Sequence, residues 1–299
     1  MSVPRSLARP PGSYPVTVPT RRGPLAAIRV DPPTGPSGPS DVLLVPGFTG
    51  SKEDFLPVLA PIAAAGHRVT AIDLRGQLDS AALDAASDVH DRDGEAAYGV
   101  CALAEDLLDV IADLEAPVHL LGHSFGGLVA RAAALTSPGA VRSLTLLGSG
   151  PAAIPSPPAD RLRALRPVLD AGGVAAVWSA AQALEAAEPG YAPPPPPVAA
   201  FLRRRYLAMP AACLGGMAAG LLTEADRVEE LAATGLPVLV AHGEGDDAWP
   251  PAVQREMARR LGARYAEIPD SVHSPAAENP ARTVAILLDF WRSAEAVSG

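Results

Sequence analysis

One stretch decides the fold: Pro117-Val118-His119-Leu120-Leu121-Gly122-His123-Ser124-Phe125-Gly126-Gly127-Leu128-Val129. Its first part is an apolar run, which predicts a short buried strand. The residues from Leu128 to Leu135 are apolar apart from Arg131 and include four alanines, which predicts a helix packed through small residues. Between strand and helix stands G-x-S-x-G, a pattern whose serine lies on a sharp turn above the sheet. The stretch therefore predicts a strand, a tight turn at Ser124 and a helix.

The residue types around Ser124 suit a nucleophile. A serine hydroxyl reacts poorly in water and needs a fixed orientation and a neighbouring base. Gly122 and Gly126 allow the backbones at the turn to approach without a Cβ clash. The N-terminus of the following helix offers free N–H groups where an oxyanion would form. Because the chain has 27 glycines, the pattern also arises by chance, so its interpretation depends on the rest of the sequence.

Composition limits the class of protein. A chain of 299 residues, 48% of them hydrophobic, suits one α/β domain with an insertion or two small domains. The formal net charge of −9 argues against a nucleic-acid partner, which requires a basic patch. Cys101 and Cys213 lie far apart, without metal-ligand spacing or a disulfide framework.

The sequence does not favour export or membrane insertion. The first residues lack the apolar core of a signal peptide. The most apolar run, Met209–Leu222, is interrupted by Pro210 and is shorter than the roughly 20 residues that a membrane span needs. We therefore expect a cytoplasmic protein without stable membrane insertion.

Strands alternate with helices along most of the chain, a pattern typical of βαβ units and a mostly parallel sheet. Besides the strand before Ser124, the predicted strands are Tyr14–Val18, Leu25–Val30, Asp41–Val45, His67–Asp73, Val141–Leu147, Leu236–Ala241 and Ala263–Ile268. The first two resemble an edge hairpin. Besides the helix after Ser124, the predicted helices are Asp54–Ala65, Glu95–Leu114, Pro251–Leu261 and Ala276–Ala294, with a polar loop before Gly94.

The alternation stops between about Pro151 and Arg227, where Ala-rich helical patterns replace the strands. Candidate helices are Asp160–Asp170, Val174–Glu188, Val198–Ala208 and Ala211–Leu222, with an extended tract at Pro193–Pro197. An all-helical insertion into an α/β sheet is typical of a cap. We thus predict a disordered tail at residues 1–12, an α/β core at 13–150 and 226–299, and a helical cap at 151–225, inserted after the strand that ends near Leu147.

Two loops after the cap supply an acid and a base. The loop after Ala241 carries three carboxylates, Glu244, Asp246 and Asp247. The loop after Ile268 carries His273. Both loops follow predicted strands, and the carboxyl ends of parallel strands meet at one edge of the sheet, where Ser124 also lies. The order serine, acid, histidine is the one expected for a G-x-S-x-G hydrolase.

With these motifs, the chain from about Asp41 to Arg292 resembles the α/β-hydrolase family, in particular its capped, esterase-like members with a serine nucleophile. The resemblance rests on the residues around Ser124 and on four further segments, Gly47–Gly50, Ile72–Gly76, Pro237–Asp246 and Val272–Pro280. It implies the α/β-hydrolase fold, a mostly parallel central sheet flanked by helices. It also implies that Ser124 is the nucleophile, His273 the base, and Asp246 the acid that orients it.

The resemblance further implies an oxyanion hole at the backbone N–H groups of Phe48 and Phe125. The chain departs from the family at two positions near this site. Pro46 stands where the family often carries a histidine, and Gln77 stands where a second glycine usually follows the strand-end loop. Gln77 is therefore a candidate substrate-binding residue.

Other candidate substrate-binding residues are His123, beside the nucleophile, and three large side chains, Trp178, Met217 and Trp249. Packing of the cap onto the core explains those three equally well. The run Arg203–Arg205 is typical of a solvated helix face. His242 is expected to be buried at a strand end. The sequence gives His67, His90 and His119 no recognisable catalytic or metal-binding partners. Because metal-ligand spacing and a Gly-rich phosphate loop are both missing from the sequence, we expect no metal and no cofactor.

The sequence thus favours a serine hydrolase that cleaves a small to medium-sized, apolar carboxylic ester or related acyl compound through an acyl-serine intermediate. Two alternatives remain open. One is another reaction on the same triad, by a cofactor-free haloperoxidase or perhydrolase, a hydroxynitrile lyase or a carbon–carbon bond hydrolase. The other is a ligand-binding receptor that retains the triad. The oligomeric state also stays open.

Overall fold

The computed structural model describes residues 2–33, 41–85, 94–114, 117–188 and 190–297. Within them, the strands of one sheet are β1 (Ser13–Val18), β2 (Leu25–Val30), β3 (Val42–Val45), β4 (Val69–Ile72), β5 (Val118–His123), β6 (Val141–Leu147), β7 (Val238–Gly243) and β8 (Arg264–Ile268). Their order across the sheet is β1-β2-β4-β3-β5-β6-β7-β8. The β1–β2 and β2–β4 pairs are antiparallel, and the other pairs are parallel. The sheet is therefore mostly parallel, with the predicted hairpin at one edge.

Helices connect the strands and cover both faces of the sheet. They are α1 (Leu56–Ala64), α2 (Leu78–Ala85), α3 (Val100–Asp113), α4 (Phe125–Thr136), α5 (Pro158–Ala186), α6 (Pro196–Leu207), α7 (Ala211–Thr223), α8 (Val228–Ala233), α9 (Pro251–Leu261), α10 (Pro275–Glu278) and α11 (Pro280–Val297). Short 3₁₀ turns lie at Lys52–Phe55, Gly94–Tyr98 and Pro138–Ala140. Strands β3, β5 and β7 are buried at every position. Strands covered on both faces carry continuous apolar runs, which is why the sequence predicts them.

Two hydrophobic clusters fill the space between the sheet and the helices. On one face, α1 and α11 pack against the sheet through residues such as Leu59 and Trp291. On the other face, α3, α4 and α9 pack through residues such as Leu107, Val129 and Met257. A mostly parallel sheet between two helical layers confirms the predicted fold class.

The structure adds two short helices that the sequence pattern does not predict. Helix α2 lies in the predicted polar loop, and α8 follows the predicted cap. Tertiary contacts stabilise α2, because Ser80 Oγ accepts a hydrogen bond from Ala26 N at 2.9 Å and donates one to Asp73 O at 3.0 Å. His90, from the same predicted loop, lies outside the described residues. By contrast, β2, β6 and α9 agree with the prediction at both ends.

Between β6 and α8, the described residues 151–188 and 190–225 contain helices α5, α6 and α7 and no strand. The two helices predicted from Asp160 to Glu188 form one element, α5, which is broken at Gly173 (φ 67°, ψ −169°). The predicted extended tract is shorter than expected, because α6 begins at Pro196 and proline is tolerated in a first helical turn. The division into a core and a cap stays a prediction.

One arginine of the run Arg203–Arg205 and the start of the chain differ from the prediction. Arg205 is fully buried, and its Nη2 donates a hydrogen bond to Ser2 O at 2.7 Å. Ser2 and Pro4 are buried as well. The prediction of a disordered tail is therefore wrong for these first residues, because contacts with α6 order a segment that has no local pattern of its own.

The structure also bears on membrane insertion. Among the described residues, no single helix is long and apolar enough to cross a membrane. Helices α6 and α7 meet the length and composition of a span only when taken together, and they are bent by 90° at their junction.

Candidate active site

Ser124 lies on the turn between β5 and α4. Its backbone has φ 53° and ψ −122°, a conformation that costs a non-glycine residue about 1–3 kcal/mol. Close approach fixes the turn, because a Cβ atom on Gly122 would overlap the backbone of Gly126, and one on Gly126 would overlap Pro46 O. The Ser124 N–H donates to Leu147 O of β6 at 2.9 Å. These contacts hold the serine at the carboxyl end of the sheet.

His273 lies in the loop after β8 and connects Ser124 to Asp246. Its Nε2 is 2.9 Å from Ser124 Oγ, and its Nδ1 is 3.0 Å from Asp246 Oδ1. Because a carboxylate only accepts hydrogen bonds, Nδ1 carries a proton and its N–H donates a hydrogen bond to Asp246. In the neutral ring, Nε2 is then the acceptor that faces the serine hydroxyl. The structure therefore brings the three residues predicted for catalysis into one hydrogen-bonded line.

Asp246 is a buried carboxylate with several hydrogen-bond donors. Its Oδ1 accepts from Ala248 N at 3.0 Å, and its Oδ2 accepts from Gln254 Nε2 at 2.9 Å. Burial raises the pKa of Asp246, but these donors and His273 outweigh burial and hold the pKa below its usual value. The side chain is therefore ionised at neutral pH. The other two carboxylates of this loop are exposed, which favours Asp246 as the partner of His273.

His123 contacts the loop that carries His273. Its Nε2–H donates to the backbone carbonyl of His273 at 2.7 Å, and the two rings lie 5.0 Å apart. Burial and the nearby charge of His273 lower the pKa of His123 to about 4, so this ring is neutral at pH 7. His123 also lines the cavity next to Ser124. Its position therefore suits both the predicted contact with a substrate and the support of His273.

The loop after β3 lies against the nucleophile. A Cβ atom on Gly47 would lie only 3.0 Å from Ser124 Cβ. Gln77 holds this loop, since its Nε2 donates to Gly47 O at 2.8 Å and its Oε1 accepts from Leu74 N at 3.0 Å. The next residue after Gly47 is Phe48, whose backbone N–H is one of the two predicted oxyanion donors. Gln77 is fully buried, so its position favours support of this loop over contact with a substrate.

A buried ion pair fixes the segment that follows this loop. Lys52 Nζ lies 2.7 Å from Asp73 Oδ2, and Lys52 N donates to Asp73 Oδ1 at 2.8 Å. Asp79 and Glu53 place two further carboxylates within hydrogen-bond range of the same ammonium group. Burial lowers the pKa of Lys52, but Asp73 and Glu53 outweigh burial and raise the pKa above its usual value. The end of β4 is thus joined to the 3₁₀ turn beside the site.

Ser124 and His273 open into a cavity of about 220 Å³, which we call the reaction chamber. A second cavity of about 210 Å³ shares Phe48 and Leu162 with the reaction chamber. Apolar side chains of α5 and α7 line most of this second cavity. An apolar cavity therefore adjoins the reaction chamber.

Besides Gln77, three more of the five predicted substrate-binding residues lie outside both cavities. The Trp178 ring packs against Tyr206, with 5.2 Å between the ring centroids. Met217 is fully buried in the main hydrophobic cluster. Trp249 is also fully buried, and its Nε1 donates to Ala152 O at 3.3 Å. These positions favour packing over contact with a substrate.

The sequence analysis did not identify Ser2, Asp54, Arg205 and Gln254 as site residues. Ser2 and Asp54 line the reaction chamber, and Arg205 Nη1 lies 2.6 Å from Asp54 Oδ1. Ser2 is a single polar residue among the first residues, and Arg205 is one of three consecutive arginines. Neither sequence pattern predicts a buried side chain. Gln254 lies on a helix that was predicted correctly, but its contact with Asp246 depends on tertiary packing.

The family model described as the alpha/beta hydrolase family matches residues 42–286, which is most of the chain. The chain therefore belongs to the alpha/beta hydrolase family. This confirms the resemblance inferred from the motifs, and it confirms the predicted enzyme class at the level of a hydrolase.

Individual relatives are similar to parts or all of the chain. A putative carbamate hydrolase RutD of Variovorax paradoxus (strain S110) is 38% identical over 117 residues, which cover 38% of this chain and 40% of that protein. The match thus spans about two fifths of the relative's length.

Three solved structures resemble most of the chain. A carboxylesterase of Nitrososphaera gargenis has a TM-score of 0.73 at 18% identity and covers 94% of this chain and 99% of that one. A thermophilic esterase of Thermogutta terrifontis has a TM-score of 0.69 at 25% identity, with coverage of 94% and 98%. An enol-lactonase of Burkholderia xenovorans LB400 has a TM-score of 0.70 at 22% identity, with coverage of 93% and 100%, and thus shares the fold as well.

Proposed function

We propose that this protein is a serine hydrolase that cleaves a carboxylic ester or a related acyl compound through an acyl-serine intermediate. One observation carries the proposal, the two hydrogen bonds that join Ser124 to His273 at 2.9 Å and His273 to Asp246 at 3.0 Å. Both lie within the reach expected for a nucleophile, its base and an orienting acid. The hydrolase, esterase and lactonase names of the relatives agree with acyl transfer.

Acylation follows from this geometry. Ser124 Oγ attacks the carbonyl carbon of the ester while its proton passes to His273 Nε2. The ionised Asp246 stabilises the imidazolium that forms. The oxyanion accepts hydrogen bonds from the backbone N–H groups of Phe48 and Phe125. The bond between the carbonyl carbon and the alcohol oxygen then breaks, and Nε2 donates its proton to the departing alkoxide.

Deacylation repeats the same steps with water. His273 Nε2 takes a proton from a water molecule, whose oxygen attacks the acyl carbon. The second tetrahedral intermediate collapses, the carboxylic acid leaves, and Ser124 Oγ regains a proton from Nε2. The proposed chemistry needs no metal and no cofactor, because side chains and backbone N–H groups perform every proton transfer and charge stabilisation.

The two cavities indicate the size and character of the substrate. The reaction chamber of about 220 Å³ and the apolar cavity of about 210 Å³ are each smaller than a typical ligand pocket of roughly 300–1,000 Å³. We therefore propose a small to medium-sized substrate with one apolar group, which lies between α5 and α7. A cytoplasmic location is part of the same proposal.

Hydrolysis of p-nitrophenyl esters, from acetate to long acyl chains, tests the proposal. Wild type and Ser124→Ala are compared, with Ser179→Ala as the matched control, since Ser179 is an exposed serine of α5 whose Oγ donates a hydrogen bond to Ala175 O. We expect Ser124→Ala to lower kcat by on the order of 10⁶-fold and Ser179→Ala to leave it unchanged. Mass spectrometry should detect an acyl group on Ser124 of wild type.

The same assays, with further substrates, distinguish ester hydrolysis from the alternative reactions and from a receptor function. A carbamate substrate is included because the relative from Variovorax paradoxus is named a putative carbamate hydrolase. Peroxide, cyanohydrin and dienoate substrates represent the other reactions on this triad. Absence of Ser124-dependent turnover on every ester, together with turnover of one of these compounds, would replace ester hydrolysis by that reaction. Tight ligand binding without turnover would favour a receptor.

A further inference from the structure

The segment that precedes β1 enters the reaction chamber. Ser2 lines this chamber together with Phe48 and His273. Ser2 is only 6% exposed, and its buried Oγ has no hydrogen-bond partner among the residues that the structure describes. The small side chain of Ser2 is therefore packed into the wall of the chamber.

A buried arginine fixes the position of Ser2. Arg205 of α6 donates through Nη2 to Ser2 O at 2.7 Å and through Nη1 to Asp54 Oδ1 at 2.6 Å. Arg205 is fully buried, and Asp54 lines the same chamber. One guanidinium group therefore joins Ser2, helix α6 and the 3₁₀ turn that follows the loop after β3. We call that loop the oxyanion loop after its predicted role.

Apolar contacts hold the segment further along. Pro4 is buried. Leu7 packs against a small hydrophobic cluster whose members are Leu78 of α2 and Val198, Phe201 and Leu202 of α6. The segment consequently lies between α2 and α6, and its position does not depend on the Arg205 contact alone.

We propose that Ser2 is a wall residue of the substrate site and limits the size of the group that fits beside Ser124. This inference rests on the proposed ester hydrolysis. In a chamber of about 220 Å³, a larger side chain at position 2 would occupy a substantial share of the space. Because Arg205 holds the main chain of Ser2, the wall does not move back when a bulky substrate binds.

Ser2→Leu tests this role, with Ser6→Leu as the matched control, because Ser6 belongs to the same segment but is exposed. All proteins carry their affinity tag at the C-terminus. kcat/KM is measured for p-nitrophenyl esters of increasing acyl length and for acetate esters of increasingly bulky alcohols. We expect Ser2→Leu to lower kcat/KM by about 10- to 200-fold on the largest members of at least one series. The smallest esters should change by less than about 3-fold, and Ser6→Leu should match wild type.

The proposal that Ser2 limits substrate size would be wrong if Ser2→Leu and wild type had equal kcat/KM on both series. It would also be wrong if Ser2→Leu lost the same fraction of kcat/KM on every ester. This result differs from failure of the proposed function, in which wild type itself has no Ser124-dependent turnover. Ser2→Gly is the second variant, used where thermal melting shows that Ser2→Leu does not fold. It widens the chamber, so the ratio of rates on large and small esters should rise, and an unchanged ratio overturns the inference.

Discussion

The turn around Ser124 and the helices above it are held in place by different means. At the turn, backbone atoms lie so close together that a single Cβ atom on Gly122 or Gly126 would overlap them. In the helical region, α5 has only three buried residues among its 29, and a side-chain ion pair, Arg205–Asp54, joins α6 to the core. Where backbone atoms are in contact, the glycines tolerate no larger residue. Where side chains make the contact, as in the Arg205–Asp54 pair, single residues can be exchanged.

This difference separates the chemistry from the choice of substrate. The groups that would transfer protons lie on the rigid sheet edge, where the core determines their distances. Helices α5 and α7 form most of the wall of the second cavity, and together with Ser2 they form part of the wall of the reaction chamber. Variants on the two sides should therefore affect different measurements, and four such variants follow.

Asp246→Asn should have the largest effect. The amide can no longer select the tautomer of His273 in which Nε2 accepts the serine proton, so kcat should fall on the order of 10⁴-fold with little change in KM. Stopped-flow or steady-state ester hydrolysis measures this loss. A fall of less than about 10-fold would contradict the proposed role of Asp246.

The same variant makes a prediction about pH. The folded-state pKa of Asp246 lies below its usual value, so the carboxylate stabilises the fold above the unfolded pKa of roughly 4. That contribution is lost as the pH falls through the lower folded-state pKa. Acid unfolding of Asp246→Asn should accordingly depend less on pH below about 4 than that of wild type.

Arg205→Met should break the joint between α6 and the core. The variant leaves Asp54 buried and unpaired, which should cost about 3–5 kcal/mol in the free energy of unfolding. Urea unfolding measures the loss. Arg203→Met is the control, because Arg203 lies on the same helix but is exposed, and its effect should stay within about 0.5 kcal/mol. Equal effects of the two variants would show that the ion pair does not join the two regions.

Gly126→Ala should break the turn itself. The new Cβ atom would overlap Pro46 O, a backbone atom that has no rotamer to escape into, so the cost should be about 1–3 kcal/mol or more. Activity should fall as well, because Ser124 and the oxyanion loop both shift. Gly139→Ala is the control, since nothing lies within 4 Å of its new Cβ atom. Thermal melting and ester hydrolysis of both variants distinguish local crowding from a general effect of losing a glycine.

Gln77→Leu should have the smallest effect of the four. It removes the hydrogen bond to Gly47 O, so the oxyanion loop loses a support while the three catalytic side chains stay in place. We expect kcat to fall about 10-fold, near 1.4 kcal/mol, with KM changed less than kcat. Gln182→Leu on α5 serves as the control. A selective rise in KM would instead indicate that Gln77 binds the substrate, as the sequence analysis predicted.

The sequence predicts the turn well because its signal is local. A glycine on each side of the serine, with an apolar strand before and a helix after, is visible in thirteen consecutive residues. The same holds for β6 and α9, whose ends agree with the pattern. The predicted positions of Asp246 and His273 also follow from local loops at strand ends. In the structure, His273 lies within hydrogen-bond distance of both Ser124 and Asp246.

Sequence reasoning fails where position depends on distant contacts. Trp249 follows Asp246 closely in sequence and Trp178 lies in the predicted cap, yet packing partners elsewhere in the fold decide where both side chains lie. Ser2 and Arg205 are polar residues in segments that resemble a tail and a solvated face. They are buried because Arg205 donates hydrogen bonds to Ser2 O and to Asp54 Oδ1, across 203 and 151 residues of chain.

The backbone of Ser124, with φ 53° and ψ −122°, has a consequence for protein engineering. Glycine adopts such a conformation at little cost, whereas serine there stores strain of about 1–3 kcal/mol. A Ser124→Gly chain should therefore melt at a higher temperature than wild type while losing its nucleophile. Selection of variants for heat resistance alone would favour loss of this serine, so a screen for a hardier enzyme has to select for turnover at the same time.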